Sequence, residues 1–391
     1  MLELIGRTRN LFQNDLLNHS SSLEQVQFSK FLIIGGAGSI GSAVTKEIFE
    51  RNPRCLHVVD LSENNLAELV RDLRSSKGYI DGDFKTFAID FGDQSFEYFM
   101  QNEGPYDFVL NLAALKHVRS ERDPYTLDRM VKTNVVNTIS SVKFSEQMKA
   151  KKYFAVSSDK AANPANLMGA TKRIMELFLF SEHKIDVSMA RFANVAFSDG
   201  SLLSSFRNRI IKNQPLVAPT DVERYFITNE ESGILCLMSC LCGSDNEVFF
   251  PKDFDELKLT KFSQIAVNYL ETLGLTPIIC ETEEEARRFL VNGPVKNKWP
   301  LYLFESDTTG EKPYEEFFTD LESLDLQRFE DIGVINNEVI TNQEKIEDFV
   351  INYKYLQNSH TRSKQDYVDL IQELLSEFRH IEKHKNLDQK M

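Results

Sequence analysis

The stretch Lys30–Asn52, KFLIIGGAGSIGSAVTKEIFERN, decides the fold. A strand-forming run, KFLII, ends in the glycines Gly35, Gly36, Gly38 and Gly41, and SIGSAVTKEIF carries the spacing of a helix. The glycines satisfy G-x-G-x-x-G from Gly36 and G-x-x-G-x-x-G from Gly35. Such a turn bends the chain sharply and lets backbone N–H groups at the helix start, here around Ser39 and Ile40, approach a pyrophosphate. A glycine motif alone says little, so its context matters. A strand precedes it, a helix follows it, and the next apolar run, CLHVVD, ends on Asp60, 19 residues beyond Gly41. A carboxylate there accepts from ribose hydroxyls and repels a 2′-phosphate, so NAD is expected rather than NADP.

Outward from this unit the pattern repeats. Helix SENNLAELVRDLRSS leads to strand FKTFAID, helix QSFEYFMQNE to strand YDFVLNLAA, and a long helical stretch at about 124–150 to strand KYFAVSS. A helix over about 165–183 and the strand IDVSMARFANV follow. Short apolar strands alternating with amphipathic helices predict an α/β fold, a doubly wound parallel sheet of Rossmann type. The expected division is an N-terminal helical arm (1–28), a dinucleotide-binding domain (29–196), a smaller mixed α/β substrate region (197–318) and an acidic, helical C-terminal extension (319–391). In the arm, Leu11, Phe12, Leu16 and Leu17 form a docking stripe. Near the C-terminus Tyr367, Leu370, Ile371, Leu374, Leu375, Phe378 and Ile381 mark one face of a helix that docks on the body or on a second subunit.

Composition excludes several classes. The 391 residues hold 45 Lys plus Arg against 59 Asp plus Glu, a net charge of −14, which argues against a protein that coats nucleic acid or anionic lipid. No apolar run reaches the ~18–20 residues of a membrane span, and MLELIGRTRNLFQNDLLNHS lacks the features of a signal peptide. A cytoplasmic chain is expected. Five cysteines are too few for a disulfide scaffold. Cys236, Cys240 and Cys242 lie in an apolar helical stretch and read as buried small hydrophobes. The seven histidines form no ligand pair in sequence, so no metal site is expected.

Ligands bind at the C-terminal edge of such sheets, and that edge names the remaining candidates. Asp90 and Phe91 end the third strand and are placed to border an adenine. Ala113 and Ala114 let the chain pass close to the cofactor after the fourth strand, with Lys116 just beyond. The fifth strand ends in Ser157-Ser158-Asp159-Lys160, and Met168 and Lys172 share a helix face further on.

The strings DLSENNL, NLAALKHV, KTNVVNT, SSDKAANPANLMGATKR, RFANVAFSDGS, ERYFIT, FFPKD and TTGEKPYEEF, in that order, resemble the extended short-chain dehydrogenases/reductases. More narrowly they resemble bacterial UDP-N-acetylglucosamine 4,6-dehydratases of polysaccharide and legionaminic-acid-type sugar synthesis. The resemblance spans about 29–318. It implies a tightly bound NAD that takes hydride from C4 of the sugar and returns it at C6, with water lost between. By matching position Asp159 is the acid at C6, Lys160 the base at C5, and Lys172 the holder of the nicotinamide ribose. Met168 stands where family members commonly carry Tyr, which leaves the C4 hydroxyl's base among Ser158, Asp159 and a water held by Lys172. Arg191, Asn194, Ser198, Arg224, Lys116 and Lys252 are the implied contacts to a UDP-sugar, and Glu311 has no assigned task. A homo-oligomer is implied by the same likeness. Free Asp and Lys start in the wrong protonation states for these roles, so the roles need the two side chains kept apart or the site closed around the sugar. The rival readings are a UDP-sugar 4-epimerase or a C5-inverting dehydratase on the same fold, and a non-catalytic NAD-binding scaffold.

Overall fold

Parallel strands covered on both faces must be apolar throughout, and the strands after Lys30 meet that demand. A computed structural model describes residues 1–252, 255–291, 293, 296–306, 312, 314, 316–339 and 343–380 of the chain. In it β1 (Lys30–Ile34), β2 (Cys55–Asp60), β3 (Asp83–Ala88), β4 (Phe108–Asn111), β5 (Lys152–Val156) and β6 (Asp186–Ala190) lie parallel in the order β3-β2-β1-β4-β5-β6. The order reverses between β1 and β4, which puts crossover helices on both faces and opens a crevice at that switch point. The doubly wound sheet expected from sequence is therefore present.

The crossovers are α1 (Ser39–Phe49), α2 (Glu63–Ser76), α3 (Gln94–Glu103), α4 (Pro124–Val131), α5 (Asn137–Gln147) and α6 (Leu167–Leu179). Their starts are written locally. Ser62 accepts from Asn65 N, Asn166 from Gly169 N, and Asp123 from Tyr125 N and Thr126 N, with Pro124 at the first position of α4. A π-helical turn, Lys132–Val136, joins α4 to α5.

Two stretches depart from the sequence reading. The segment from 318 onward reads as helical, yet β8 (Ser323–Asp325) and β9 (Ile332–Asn336) extend the central sheet. They follow β7 (Glu247–Pro251), which pairs parallel with β6; β9 then runs antiparallel to β7, Val334 opposite Phe249. Val334 and Ile335 are fully buried, so burial overrides the acidic surroundings. The sheet thus draws strands from both sides of residue 197. A second apolar cluster, around Phe206, Leu216, Ile265, Trp299 and Leu301, underlies a smaller parallel sheet of Leu216–Pro219, Thr276–Cys280 and Lys298–Phe304.

The first 28 residues form short helical turns rather than one helix, because Phe12 takes a left-handed φ of 68°. Leu11 and Phe12 are buried but Leu17 is 69% exposed, which removes it from the docking stripe. Arg7 and Glu231, both buried, form an ion pair that ties this segment to the start of helix α7 (Asn229–Cys242). Within α7, Cys236 and Cys240 are fully buried and burial pushes both thiols up, as expected of small core groups.

The chain ends in α8 (Gln343–Asn358) and α9 (Lys364–Leu374). Tyr367, Leu370 and Ile371 are buried where α9 packs on α4 and α6, so the stripe docks on the body. Phe378 is buried beyond the helix end, and Ile381 lies outside the described residues. Among the described residues no helix is long and apolar enough to cross a membrane.

Candidate active site

At the end of β1 the chain turns through Gly35, whose φ of 75° is a left-handed value that glycine adopts without strain. A Cβ at Gly35 would stand 2.6 Å from Ala113 N, and one at Gly41 would stand 2.1 Å from Gly35 O. Only glycine lets the turn, the β4 loop and the start of α1 close up this tightly. The first amides of any helix lack intrahelical acceptors, and here they face the crevice mouth. Asp60 is held beside them: its Oδ2 accepts from Ala37 N (3.0 Å) and its Oδ1 from Ser62 N (2.9 Å). Each carboxylate oxygen keeps a lone pair for a further donor.

A cavity of about 500 Å³ opens over the strand ends, within the range of small-molecule sites. Gly35, Gly38, Asp60, Asp90, Phe91, Ala113 and Ala114 share its wall, so the structure gathers these seven sequence candidates. Gly36, Ser39, Ile40 and Gly41 build the turn and helix start behind them. Ser39 Oγ accepts from Asp199 N at 2.8 Å, pinning the loop that carries Ser198. The opposite wall comes from α4 and the π turn: Asp128, Arg129, Lys132, Thr133 and Asn137. Sequence reasoning missed this wall. Its signal was Arg129 and Lys132 at i, i+3, two cations that share the cavity with the glycine turn.

Next to this cavity, at the end of β5, lies the Ser-Asp-Lys cluster. Ser157 Oγ donates to Glu176 Oε1 (2.6 Å), which makes it an internal tie. Ser158 Oγ accepts from Lys160 N and donates to Asp159 Oδ1 at 2.9 Å. The roles ask for Asp159 and Lys160 to be kept apart or closed in around the sugar; the two side chains are in contact, Lys160 Nζ 3.0 Å from Asp159 Oδ1, with Asp159 buried and Lys160 19% exposed. Adjacent side chains in the short turn Asp159–Ala161 reach one another without backbone change, so ammonium and carboxylate lie in direct contact. The acid and base roles therefore require the pair to be parted or to exchange its proton.

Met168 is buried, and its backbone N donates to Glu121 Oε1 at 2.8 Å. Lys172 Nζ donates to Val156 O, the last residue of β5, at 2.9 Å. An ammonium carries three donors, so this bond leaves capacity for a ribose. Asn134 ties the cavity wall to α6: it accepts from Leu115 N (2.9 Å) and donates to Leu115 O and to Thr171 Oγ1 (both 3.0 Å). A buried Asn in a π turn carries no sequence signature that distinguishes it from its neighbours.

Burial pushes the Lys172 ammonium down to about 8, with Glu176 opposing. Below pH 8 the lysine is charged in both folded and unfolded chains, and its burial penalty is fully present. As pH rises from about 8 towards the ordinary 10.5 the folded chain sheds its proton first and the penalty fades, so stability gains with pH in that window. Lys172→Met is expected to flatten this gain, read as urea midpoints at about pH 7.5 and about pH 10. Equal pH dependence in both proteins would mean that Lys172 titrates like an exposed lysine.

The implied sugar-nucleotide residues separate into three groups. Lys116 Nζ lies 3.5 Å from Ser198 Oγ, and Asn194 Nδ2 is buried without a protein acceptor, as suits a donor reserved for a ligand. Arg224 is buried, and its Nη1 donates to the carbonyls of Glu223 and Lys312. Arg191 and Lys252 are engaged within the protein. Arg191 is fully buried, and its five N–H groups meet Glu176, Glu322 and Phe317 O at 2.7–2.9 Å. Lys252 Nζ holds the carbonyls of Leu326 and Phe329. Glu311 lies outside the described residues.

One ligand-type cluster arises from strand pairing: Cys55, His57 and Asp83 lie within 4.8 Å of one another. Their ligating groups are already engaged, His57 with Tyr106 Oη and Asp83, and Asp83 with Lys85, and burial pushes the Cys55 thiol up to about 11.

The model of a family described as polysaccharide biosynthesis protein matches residues 31–337. The chain is 28% identical over 351 residues to the uncharacterized membrane protein MJ1061 of Methanocaldococcus jannaschii, covering 83% of this chain and 96% of that protein. It is 28% identical over 241 residues to a UDP-N-acetylglucosamine 4,6-dehydratase (inverting) of Campylobacter jejuni, covering 59% and 69%. It spans about half the length of two further bacterial relatives, 46% of one and 50% of the other. Among solved structures, Pen from Bacillus thuringiensis shares the fold with a TM-score of 0.64 at 23% identity, covering 82% of this chain and 90% of that one.

Proposed function

The chain belongs to the polysaccharide biosynthesis protein family, and on that premise we propose that it is an NAD-dependent nucleotide-sugar 4,6-dehydratase acting on UDP-N-acetylglucosamine or a related UDP-sugar. The observation that carries the reading is the meeting of a dinucleotide cradle with an acid–base pair at one sheet edge, where the paired strands β4 and β5 end side by side. A C4 epimerase needs no acid at C6 and no base at C5, so the Asp159–Lys160 pair favours dehydration. The relative from Campylobacter jejuni is named a UDP-N-acetylglucosamine 4,6-dehydratase of the inverting kind, which supports dehydration and leaves the outcome at C5 between the two dehydratase readings.

The residues present fit NAD: glycines that a Cβ would crowd out, Asp60 for the ribose hydroxyls, Arg129 and Lys132 in the cavity shared with the glycine turn. When bound, NAD supplies the acceptor for the C4 hydride and gives the same hydride back at C6. The protein handles the protons. Moving one proton across the 3.0 Å Asp159–Lys160 contact converts ammonium and carboxylate into amine and carboxylic acid, the forms that act as base and acid. A sugar that excludes water favours this neutral pair, because two buried charges are costly to desolvate. Lys160 Nζ then takes the C5 proton and Asp159 gives its proton to the departing C6 oxygen. Met168 has no exchangeable proton to contribute at C4. The C4 hydroxyl proton leaves to a water held by Lys172, because Asp159 already carries a proton at that stage, and the pair regains a proton once Lys160 has returned its own to C5. Asn194, Ser198 and Lys116 hold the sugar nucleotide.

Incubation of the purified protein with UDP-N-acetylglucosamine and no added cofactor, followed by mass spectrometry of the nucleotide, tests the proposal. Loss of one water is the expected outcome. An unchanged mass with altered sugar stereochemistry would make the protein an epimerase, and an unaltered substrate would make it a scaffold.

A further inference from the structure

Gln357 lies beyond the residues matched by the family model, yet it lines the 500 Å³ cavity together with Asp60, Asp90 and Phe91. We propose that the C-terminal pair α8–α9 completes the dinucleotide site, with Gln357 as a contact to the adenosine diphosphate half of the cofactor. The inference rests on the dinucleotide reading above. The cavity wall holds the ribose acceptor and the adenine-flanking pair, and none of Ser158, Asp159, Lys160, Met168 or Lys172. This volume is therefore the adenosine half, and a side chain in its wall meets that half.

The position of Gln357 is held from several sides. Tyr353 Oη and Tyr367 Oη, one from each helix, both donate to Asp128 Oδ1 at 3.0 Å, and Asp128 is itself part of the cavity wall. Both tyrosines are buried, and burial, with Asp128 adding to it, pushes both phenols up, which keeps them as donors. Arg362 Nη1 donates to the Gln357 carbonyl, and Gln357 Nε2 lies 3.4 Å from Tyr353 Oη. Ile346, Phe349 and Ile371 bury the apolar faces that fix the pair on the body. A surface decoration would need no such anchoring at the rim of a binding cavity. A primary amide offers two donors and one acceptor at once, which suits a nucleotide presenting both ribose hydroxyls and phosphate oxygens. A glutamine there adds no negative charge against the pyrophosphate.

The test is binding of NAD and of ADP-ribose by calorimetry to the full chain freed of co-purified nucleotide, with UDP as the control ligand. Gln357→Ala is expected to weaken NAD and ADP-ribose about tenfold, the loss of one good hydrogen bond, and to leave UDP affinity unchanged. Gln357→Glu is expected to weaken both further, because a carboxylate then faces the phosphates. Equal ADP-ribose affinity in Gln357→Ala and the unmodified chain overturns the proposal, whatever happens to thermal stability. Failure of the unmodified chain to bind either NAD or ADP-ribose would instead overturn the dinucleotide reading beneath it.

Discussion

Lys160→Ala is expected to lower turnover of the sugar nucleotide about a thousandfold, within the 10²–10⁴ range of a lost general base. Exchange of the C5 proton with solvent should vanish with it. The expectation follows from one contact: the Lys160 ammonium is the basic partner of the buried Asp159 carboxylate, so its removal eliminates both the base and the proton donor that readies the acid. Affinity for ADP-ribose should stay unchanged, because Lys160 takes no part in the wall of the adenosine cavity. Lys160→Gln keeps a hydrogen bond to Asp159 and separates chemistry from folding: it should fold as the unmodified chain does and be equally inactive. Persistent C5 exchange in either variant would place the base elsewhere.

Arg191→Met is expected to destabilise the protein by roughly 3–5 kcal/mol, the usual cost of stripping one partner from a buried ion pair. Burial alone would push Glu176 up, and Arg191 beside it does most to bring the carboxyl down to about 2; without the guanidinium the buried group keeps only Arg173 and Ser157, and it either stays charged at that cost or takes up a proton. Glu322 loses the same partner. The damage reaches the site through Ser157, which donates to Glu176 directly behind Ser158. Urea denaturation reads the effect. A variant of normal stability with weakened UDP affinity would return Arg191 to the ligand-binding role that its sequence neighbourhood implied.

These two residues mark how far the sequence reaches. Asp60, the glycines and the Asp90-Phe91 pair are legible because each is defined by its distance from a strand end, and strand ends show as apolar runs that stop. Asp159 and Lys160 are legible as neighbours, but whether they pair or stand apart is set by the turn that presents them. Arg191 is misread because an arginine meets a phosphate or a carboxylate according to what folds against it. Its partners sit 15 and 131 residues away. Strands β8 and β9 are hidden for a similar reason: three and five residues in an acidic stretch show no period, and only the pairing of β9 with β7 and of β8 with β9 explains them. Gln357 has no local signal, since its place depends on two tyrosines finding Asp128 more than 200 residues earlier.

The decisive measurement is the fate of a deuterium placed at C4 of UDP-N-acetylglucosamine and followed by NMR through a single conversion in ordinary water. A product that has lost water and carries the label on its C6 methyl group means that one hydride left C4 and came back within the same visit. A label released to solvent, or found still on C4 of a sugar that has kept its oxygen, contradicts the account.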